Sequence, residues 1–579
     1  MKTSSLAFAF AVALAFSTLV DAAPNKIAPD LLAMNPATVM EAIVQYKVAP
    51  STAKVDAVLA LGGKVNIQFK VIHALVVTLP VGSLEVLAKD PDIVYISPDR
   101  LVKKALDYAE PTIGALTAFD NHYDGTGIGI AIIDSGVTDH PDLHDFHGRS
   151  RVVFSLDLTW SGNQNDAYGH GDHVAGILAG NASQSVGWLY NHTFRGIAPN
   201  ANLINLKVLD KNGAGTDSSV IWAIETAILL KNVFNIRVIN LSLGRPVAES
   251  YTVDPLCQAA EQAWQAGIVV VVAAGNDGRD NSHGTNGYGT ITAPGNDPLV
   301  ITVGAMKDQR TLIRSDDTIA SYSSKGPTLF DHVVKPDLVA PGNRIISLEA
   351  QGSTLVTTYP GNVVPLSYYE NTLARGNSPY YYTLSGTSMA SPMVAGTAAL
   401  MLQKDPTLTP DTIKARLMLT ATKNFPAFST VYDSTTNTSY TSQYDIFTIG
   451  AGYLDSWAAL NNGDHAKGIA ASPTAVYDSK TGNVYVVNAN TALWGSTALW
   501  GSTALWGSTA LWGSSVWINS STCLWGSTAL WGSTALWGSA TNHGAPVTGF
   551  TALWGSTALW GSTTTTTSET QAITITGEN

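Results

Sequence analysis

At 579 residues the chain is too long for one ordinary hydrophobic core, so several folding units are expected. Hydrophobic residues at 45% against 13% charged suit a well-buried globular protein joined to something polar but uncharged, and a formal charge of -12 argues against nucleic acid as a partner. Cys257 and Cys523 are the only cysteines, so the fold does not rest on a disulfide framework.

The first 22 residues read as an export signal: Met1-Lys2 is positive, Leu6 to Phe16 is apolar, and Val20-Asp21-Ala22-Ala23 offers small residues for cleavage. The apolar run is shorter than the roughly 20 residues a membrane span needs. A secreted product is expected, soluble or associated with the cell surface. Residues 23–107 then look like a small α+β unit, with strands at Tyr46–Val48, Val65–Phe69, Ala74–Leu79 and Ile93–Ser97 and helical stretches at Val55–Leu61 and Leu84–Leu87. A ferredoxin-like binding module would give the same pattern.

Residues 108–462 alternate apolar runs with helical stretches. The runs are Ile128–Ile133, Leu203–Val208, Val238–Leu243, Ile268–Ala274 and Leu299–Val303. Continuous apolar strands separated by helices predict an α/β fold, a parallel sheet covered by helices on both faces. In such sheets reactive groups gather at the carboxyl ends of strands, where Asp134 and Asn276 fall. Residues 463–490 form a linker or short β segment, with strand-like residues around Val476 and Val484–Val487. From 491 to 579 the sequence repeats Thr-Ala-Leu-Trp-Gly-Ser, with breaks after Trp512 and Trp537. A period of six puts every Trp on one face of a strand but forms no stripe on a helix, so helix is disfavoured.

Three peptides carry the chemistry. Ile128–Ile133 runs into Asp134-Ser135-Gly136; Gly169-His170-Gly171-Asp172-His173 opens a helical stretch; Gly386-Thr387-Ser388-Met389-Ala390 opens another. Asp, then His, then Ser is one of the few chain orders of a nucleophilic triad. Ser388 would attack, His170 would take its proton, and Asp134 would hold the imidazole in place. Asn276, at a strand end in Ala274-Gly275-Asn276, could supply one oxyanion donor and the Ser388 N–H another, although Gly-Asn is also common in turns. His173 faces elsewhere on its helix and reads as structural.

Together with Asn240–Gly244, Tyr322–Pro327 and Val339–Gly342, these motifs resemble the signatures of the subtilisin-like serine proteases over roughly Asp107 to Asn462. The resemblance implies a serine endopeptidase acting through an acyl-enzyme on polypeptide substrates, with Asp134, His170 and Ser388 as the triad and Asn276 in the oxyanion hole. It implies that residues 23–107 are a pro-region that aids folding and then acts as an intramolecular inhibitor. It also implies that Leu241, Ser242, Leu243, Gly244, Ala274 and Gly275 border the cleft, the first four pairing with an extended peptide as an added strand. Asp142 matches a calcium ligand of the family, so one structural calcium is implied, though residues 181–195 match poorly where its partners would lie. Three departures stand out. Asp172 replaces the usual threonine and places a carboxylate near His170, where it could raise the imidazole pKa. Arg245-Pro246 follows Gly244 where glycine is common, and 345–384 is long and tyrosine-rich, suiting a lid, a substrate-binding loop or a packed surface insertion.

The repeats suit a hexapeptide solenoid, a flexible stalk or a β-rich segment that self-associates or grips a cell surface or carbohydrate; the last is favoured. Two rivals to the protease reading follow. One is an adhesion or structural protein whose protease-like domain is inert; the other is an esterase, for which the Gly-x-Ser-x-Gly elbow is absent at Ser388.

Overall fold

The computed structural model describes residues 26–98 apart from 33 and 70–72, 108–478 apart from 283, 372–374 and 434–435, and then 483–487, 516–517, 575, 577 and 578. The 1–22 segment, Cys523 and most of the repeat tail lie outside the described residues. The chain forms two compact units, Met1–Lys103 and Lys104–Asn579.

In the first unit, β1 (Val39–Tyr46), β2 (Lys64–Phe69), β3 (Ala74–Pro80) and β4 (Ile93–Pro98) form an antiparallel sheet in the order β2-β3-β1-β4. Helices α1 (Thr52–Ala60) and α2 (Val81–Leu87) complete it. The strand expected at Tyr46–Val48 is instead the end of β1. In β1, Ala42, Val44 and Tyr46 alternate inward, and Lys47 and Val48 have already left the sheet exposed.

The second unit is built on an eight-stranded sheet. Its members are β5 (Gly129–Asp134), β6 (Val152–Asp157), β7 (Asn202–Lys207), β8 (Ile236–Leu241), β9 (Val269–Ala273), β10 (Ile301–Lys307), β11 (Thr318–Ile319) and β12 (Leu338–Pro341). The order is β11-β10-β9-β8-β5-β7-β6, with β12 also on β10, and only the β10–β11 pair is antiparallel. Every residue of β5 and β9 is buried. That is why these strands read as unbroken apolar runs, and each fully buried Val or Ile contributes about 1.5–3 kcal/mol. Helices α3 (Gly171–Ala179) and α6 (Thr387–Lys404) pack on each other, while α4 (Asp217–Phe234) and α5 (Pro255–Gln265) pair separately. Both α6 and α4 touch β8, so the two pairs cover opposite faces, and the α/β class read from the sequence is the one observed.

This order has a consequence for function. The chain enters the sheet at β5, fills one side with β7 and β6, and then crosses to β8, β9 and β10 on the other. A crevice opens at such a switch point, outside the carboxyl ends of the strands. There β5 ends at Asp134, β8 at Leu241 and β9 at Ala273. Strand β8 starts at Ile236 and stops at Leu241 rather than running over 238–243, because Ile236 pairs with Gly129 and the chain departs the sheet at Ser242.

The tyrosine-rich 345–384 stretch is a packed insertion. Its strands β13 (Ile345–Leu348), β14 (Val363–Pro365) and β15 (Asn377–Leu384) form a sheet with β15 in the middle, and Tyr369, Tyr381 and Tyr382 are fully buried. Farther along, Thr474–Asp478 and Asn483–Val487 pair antiparallel, the short β segment expected near Val476, and Val516–Trp517 adds a third strand.

Candidate active site

Asp134 is the last residue of β5 and is 1% exposed. Its Oδ1 accepts from the Ser135 N–H at 2.7 Å and lies 2.8 Å from His170 Nδ1, so the carboxylate meets the imidazole edge-on. His170 sits at the start of α3, and the neighbouring backbone is held close. Ser135 Oγ accepts from Gly171 N–H at 2.9 Å and donates to Asp166 Oδ1 at 2.8 Å. A Cβ at Gly171 would lie 2.1 Å from the Gly136 carbonyl oxygen, so only glycine lets the helix start this near the β5 loop.

Burial alone would depress the His170 pKa, but the charge and hydrogen bond of Asp134 and the charge of Asp166 more than reverse it, and the net direction is upward. The carboxylate expected to act here, Asp172, is not among the causes. Its Oδ1 accepts from Thr138 N–H at 2.6 Å, and burial followed by the charge of Asp166 raises its pKa well above the carboxylate range. Asp166 receives the Ser135 hydroxyl and the N–H groups of Tyr168, Gly169 and Asp172. Burial also raises the pKa of Asp166, but its donors oppose that shift, so of the two buried carboxyls Asp172 is the one pushed further toward its neutral form. His173 is fully buried, with Nε2 3.1 Å from the Ile345 carbonyl and 3.2 Å from that of Tyr382. Burial and then the charge of His170 push its pKa down to about 3, so it stays neutral, as the structural role requires.

Ser388 lies in the first turn of α6, where unpaired N–H groups and the helix dipole favour negative charge. Its Oγ donates to the Ser242 carbonyl at 3.1 Å rather than to His170, and its own carbonyl accepts from Ser242 Oγ at 2.8 Å. Asn276 follows β9. Its Oδ1 accepts from the N–H and the hydroxyl of Thr387 at 2.9 and 3.1 Å. Because a backbone N–H can only donate, that contact assigns the amide, and Nδ2 is left as the donor available to a ligand.

His170, Asn276 and Ser388 line one cleft of about 640 Å³. Ser242, Leu243 and Gly244 form part of its wall, but Leu241, Ala274 and Gly275 do not. Leu241 ends β8 fully buried, Ala274 bonds to Val303 and Thr292, and Gly275 takes its N–H to Thr387 Oγ1. Among the described residues no hydrogen bond engages the main chain of Leu243 or Gly244, which leaves them open to an added strand. Arg245 also lines the cleft, with Nε 2.9 Å from both oxygens of Asp217 and Nη2 2.9 Å from both of Asp254. Its guanidinium thus staples the starts of α4 and α5 to the rim. The inserted stretch supplies Thr354, Leu355, Thr358 and Tyr359 to the same wall.

The subtilase family model matches residues 125–452 of the chain. The chain belongs to the subtilase family. It is 40% identical over 331 residues to serine protease AprX of Bacillus subtilis (strain 168), covering 55% of this chain and 67% of that one. To subtilisin E of the same organism it is 35% identical over 376 residues, 64% of this chain and 81% of the other. The alkaline protease of Alkalihalobacillus alcalophilus matches at 33% over 358 residues, 61% and 76%. This subtilase is a serine endopeptidase, an enzyme of the α/β class.

Sequence reasoning missed four parts of the subtilase site. Thr387 fixes the Asn276 amide, Ser135 and Asp166 brace the His170 turn, and Gly213–Thr216, ahead of α4, form another stretch of cleft wall. The signal for the last was present, since Gly-Ala-Gly flanked by polar residues after an apolar run marks a loop at a strand end. Asp142, the residue matched to calcium, is fully buried away from solvent. Its Oδ1 accepts from the Ser183 hydroxyl and the Gln184 N–H, its Oδ2 from the Tyr381 hydroxyl. Those oxygens are spent on donors, and no group of three or more His, Cys, Asp or Glu that could hold a metal occurs among the described residues. Calcium does not fit this arrangement of Asp142, and no step below involves it.

Proposed function

We propose that this endopeptidase is secreted, cuts polypeptides through Asp134, His170 and Ser388 with Asn276 as an oxyanion donor, and matures by removing its own 23–107 pro-region. The observation that carries the reading is the 2.8 Å contact of His170 Nδ1 with a buried Asp134 carboxylate, in a cleft that also presents Ser388 and a free Asn276 amide donor. Substrate enters as an extended strand along Leu243–Gly244. The Ser388 hydroxyl turns from the Ser242 carbonyl toward His170 Nε2, which takes its proton as Oγ bonds to the scissile carbonyl carbon. The imidazolium is stabilised by Asp134. Negative charge developing on the carbonyl oxygen meets Asn276 Nδ2 and the Ser388 N–H, one such donor being worth roughly 3 kcal/mol of barrier. His170 returns its proton to the leaving amine, the acyl-enzyme remains, and water activated by the same imidazole releases it.

Secretion is supported by the export-signal pattern of the first 22 residues, and among the described residues no helix is long and apolar enough to cross a membrane. The repeat tail is read as a self-associating or surface-gripping segment. Purified mature protein is expected to hydrolyse unfolded protein and to be labelled on Ser388 by a serine-directed inhibitor. Ser388→Ala should lose cleavage and keep its pro-region attached. An Ala variant that matured normally without a helper protease would end the autocatalytic part of the reading.

A further inference from the structure

Ile575, Gly577 and Glu578 lie against the catalytic unit, with Ile575 and Glu578 buried there. Glu578 is 3% exposed and Ile575 7%. The Glu578 carboxylate accepts from the Ser321 N–H at 2.8 Å, from the Ser321 hydroxyl, and from Arg279 Nη2 at 3.1 Å. Asn343 reads its main chain in both directions: Oδ1 accepts the Glu578 N–H at 2.8 Å and Nδ2 donates to the Glu578 carbonyl at 3.1 Å. Arg279 is itself pinned, 2.6 Å from Asp433 and stacked on the Tyr440 ring at 4.1 Å. The pocket is thus pre-formed for one residue type. Gly577 has φ +73, and a Cβ there would lie 2.4 Å from Arg344 Cγ and 2.6 Å from Ser385 Oγ, so the preceding position admits only glycine.

The anchor lies next to the chemistry. Arg279 follows Asn276 by three residues, Ser385 precedes Ser388 by three, and Ile575, whose carbonyl accepts from Asn362 Nδ2, lines the cleft that holds His170 and Ser388. We propose that the Arg279–Ser321–Asn343 pocket is a docking site for an acidic Gly-Glu peptide segment, filled in this chain by Gly577-Glu578, and that this anchor holds Ile575 where it competes with polypeptide for the cleft. Binding is independent of the peptidase reading; competition rests on it.

The test compares the full chain with one lacking 573–579, using a fluorescent peptide of those seven residues, Ile-Thr-Ile-Thr-Gly-Glu-Asn, whose integrity is followed by mass spectrometry. The shortened chain should bind the peptide, the full chain at least tenfold more weakly, and peptides carrying Glu578→Gln or Gly577→Val should lose about tenfold or more. In hydrolysis of unfolded protein the shortened chain should show a several-fold lower KM at unchanged kcat. The full-length Glu578→Gln chain, which keeps every tail residue, should move the same way. No peptide binding to the shortened chain, or equal binding to both chains, overturns the docking site. Binding with an unaltered KM overturns competition. Absence of hydrolysis by either chain, with binding intact, counts against the peptidase reading and leaves the docking site standing.

Discussion

Behind His170 lies a set of buried carboxyl groups, whereas Ser388 is held by main-chain groups and neutral side chains. Asp134 and Asp166 act on the imidazole by charge, and Asp172, its pKa pushed up by burial and by the charge of Asp166, closes the cluster. On the other side Ser242 is bonded to Ser388 and Asn276 to Thr387, all through uncharged groups. The difference teaches that the two halves fail differently. Changes beside the imidazole should move pH dependence, and changes beside the nucleophile should scale the rate at every pH.

The largest expected effect is on the nucleophile side. Ser388→Ala removes the proposed attacking atom, and kcat should fall by about six orders of magnitude, measured at equal concentrations of purified protein. Asn276→Leu keeps the volume but removes the amide, so kcat should fall about 10²–10³-fold with KM nearly constant and the pH profile unmoved. Thr387→Val is subtler. It keeps the N–H that anchors Asn276 and loses only the hydroxyl, so a drop of about tenfold in kcat at constant KM is expected, because a loosened amide is less well aimed. A change confined to KM would mean that Thr387 shapes binding instead of holding the donor.

Beside the imidazole the expected change is one of pH. In the proposed mechanism catalysis needs neutral His170, so activity should rise with pH through a pKa that Asp134 and Asp166 hold above the ordinary histidine value. Asp166→Asn removes one charge that favours the imidazolium, and the acid limb of kcat/KM should move to lower pH. Asp172→Asn, replacing a carboxyl whose pKa is pushed up and which is not among the causes of the His170 shift, should leave that limb where it is. A shift with Asp172→Asn and none with Asp166→Asn would reverse the order of the two carboxyls' pKa values.

How much of this was legible depends on where each signal lies. The strands β5 and β9 could be read because burial on both faces writes itself as an unbroken apolar run, and Asp134, His170, Asn276 and Ser388 because each sits in a local motif at a strand end or helix start. Strand β1 was hidden, since its inward residues Ala42, Val44 and Tyr46 alternate with the half-buried Ile43 and Gln45 and Ala42 is a weak strand signal. Asp166 could not be assigned because its role comes from four donors that only the folded loop collects. Asp172 misled for the related reason that sequence shows a carboxyl group but not its protonation. The docking of Glu578 depends on residues 279, 321 and 343, a constellation no local pattern announces.

The last effect concerns stability and leaves the rate untouched. His173 is neutral when folded, with a pKa of about 3 against an ordinary value near 6.5. Between those limits the unfolded chain binds a proton that the folded one refuses, so stability contributed by this site is complete above about pH 6.5 and lost as pH falls toward 3. The slope is at most about 1.4 kcal/mol per pH unit from this one group. His173→Gln retains an N–H for the Ile345 and Tyr382 carbonyls but cannot titrate. Urea midpoints of inhibitor-blocked protein at pH 7, 6, 5 and 4 should therefore fall less steeply in the variant, by the equivalent of one proton. Parallel curves for the two proteins would mean that His173 takes up its proton while folded, and the buried helix face beneath His170 would have to accommodate a charge.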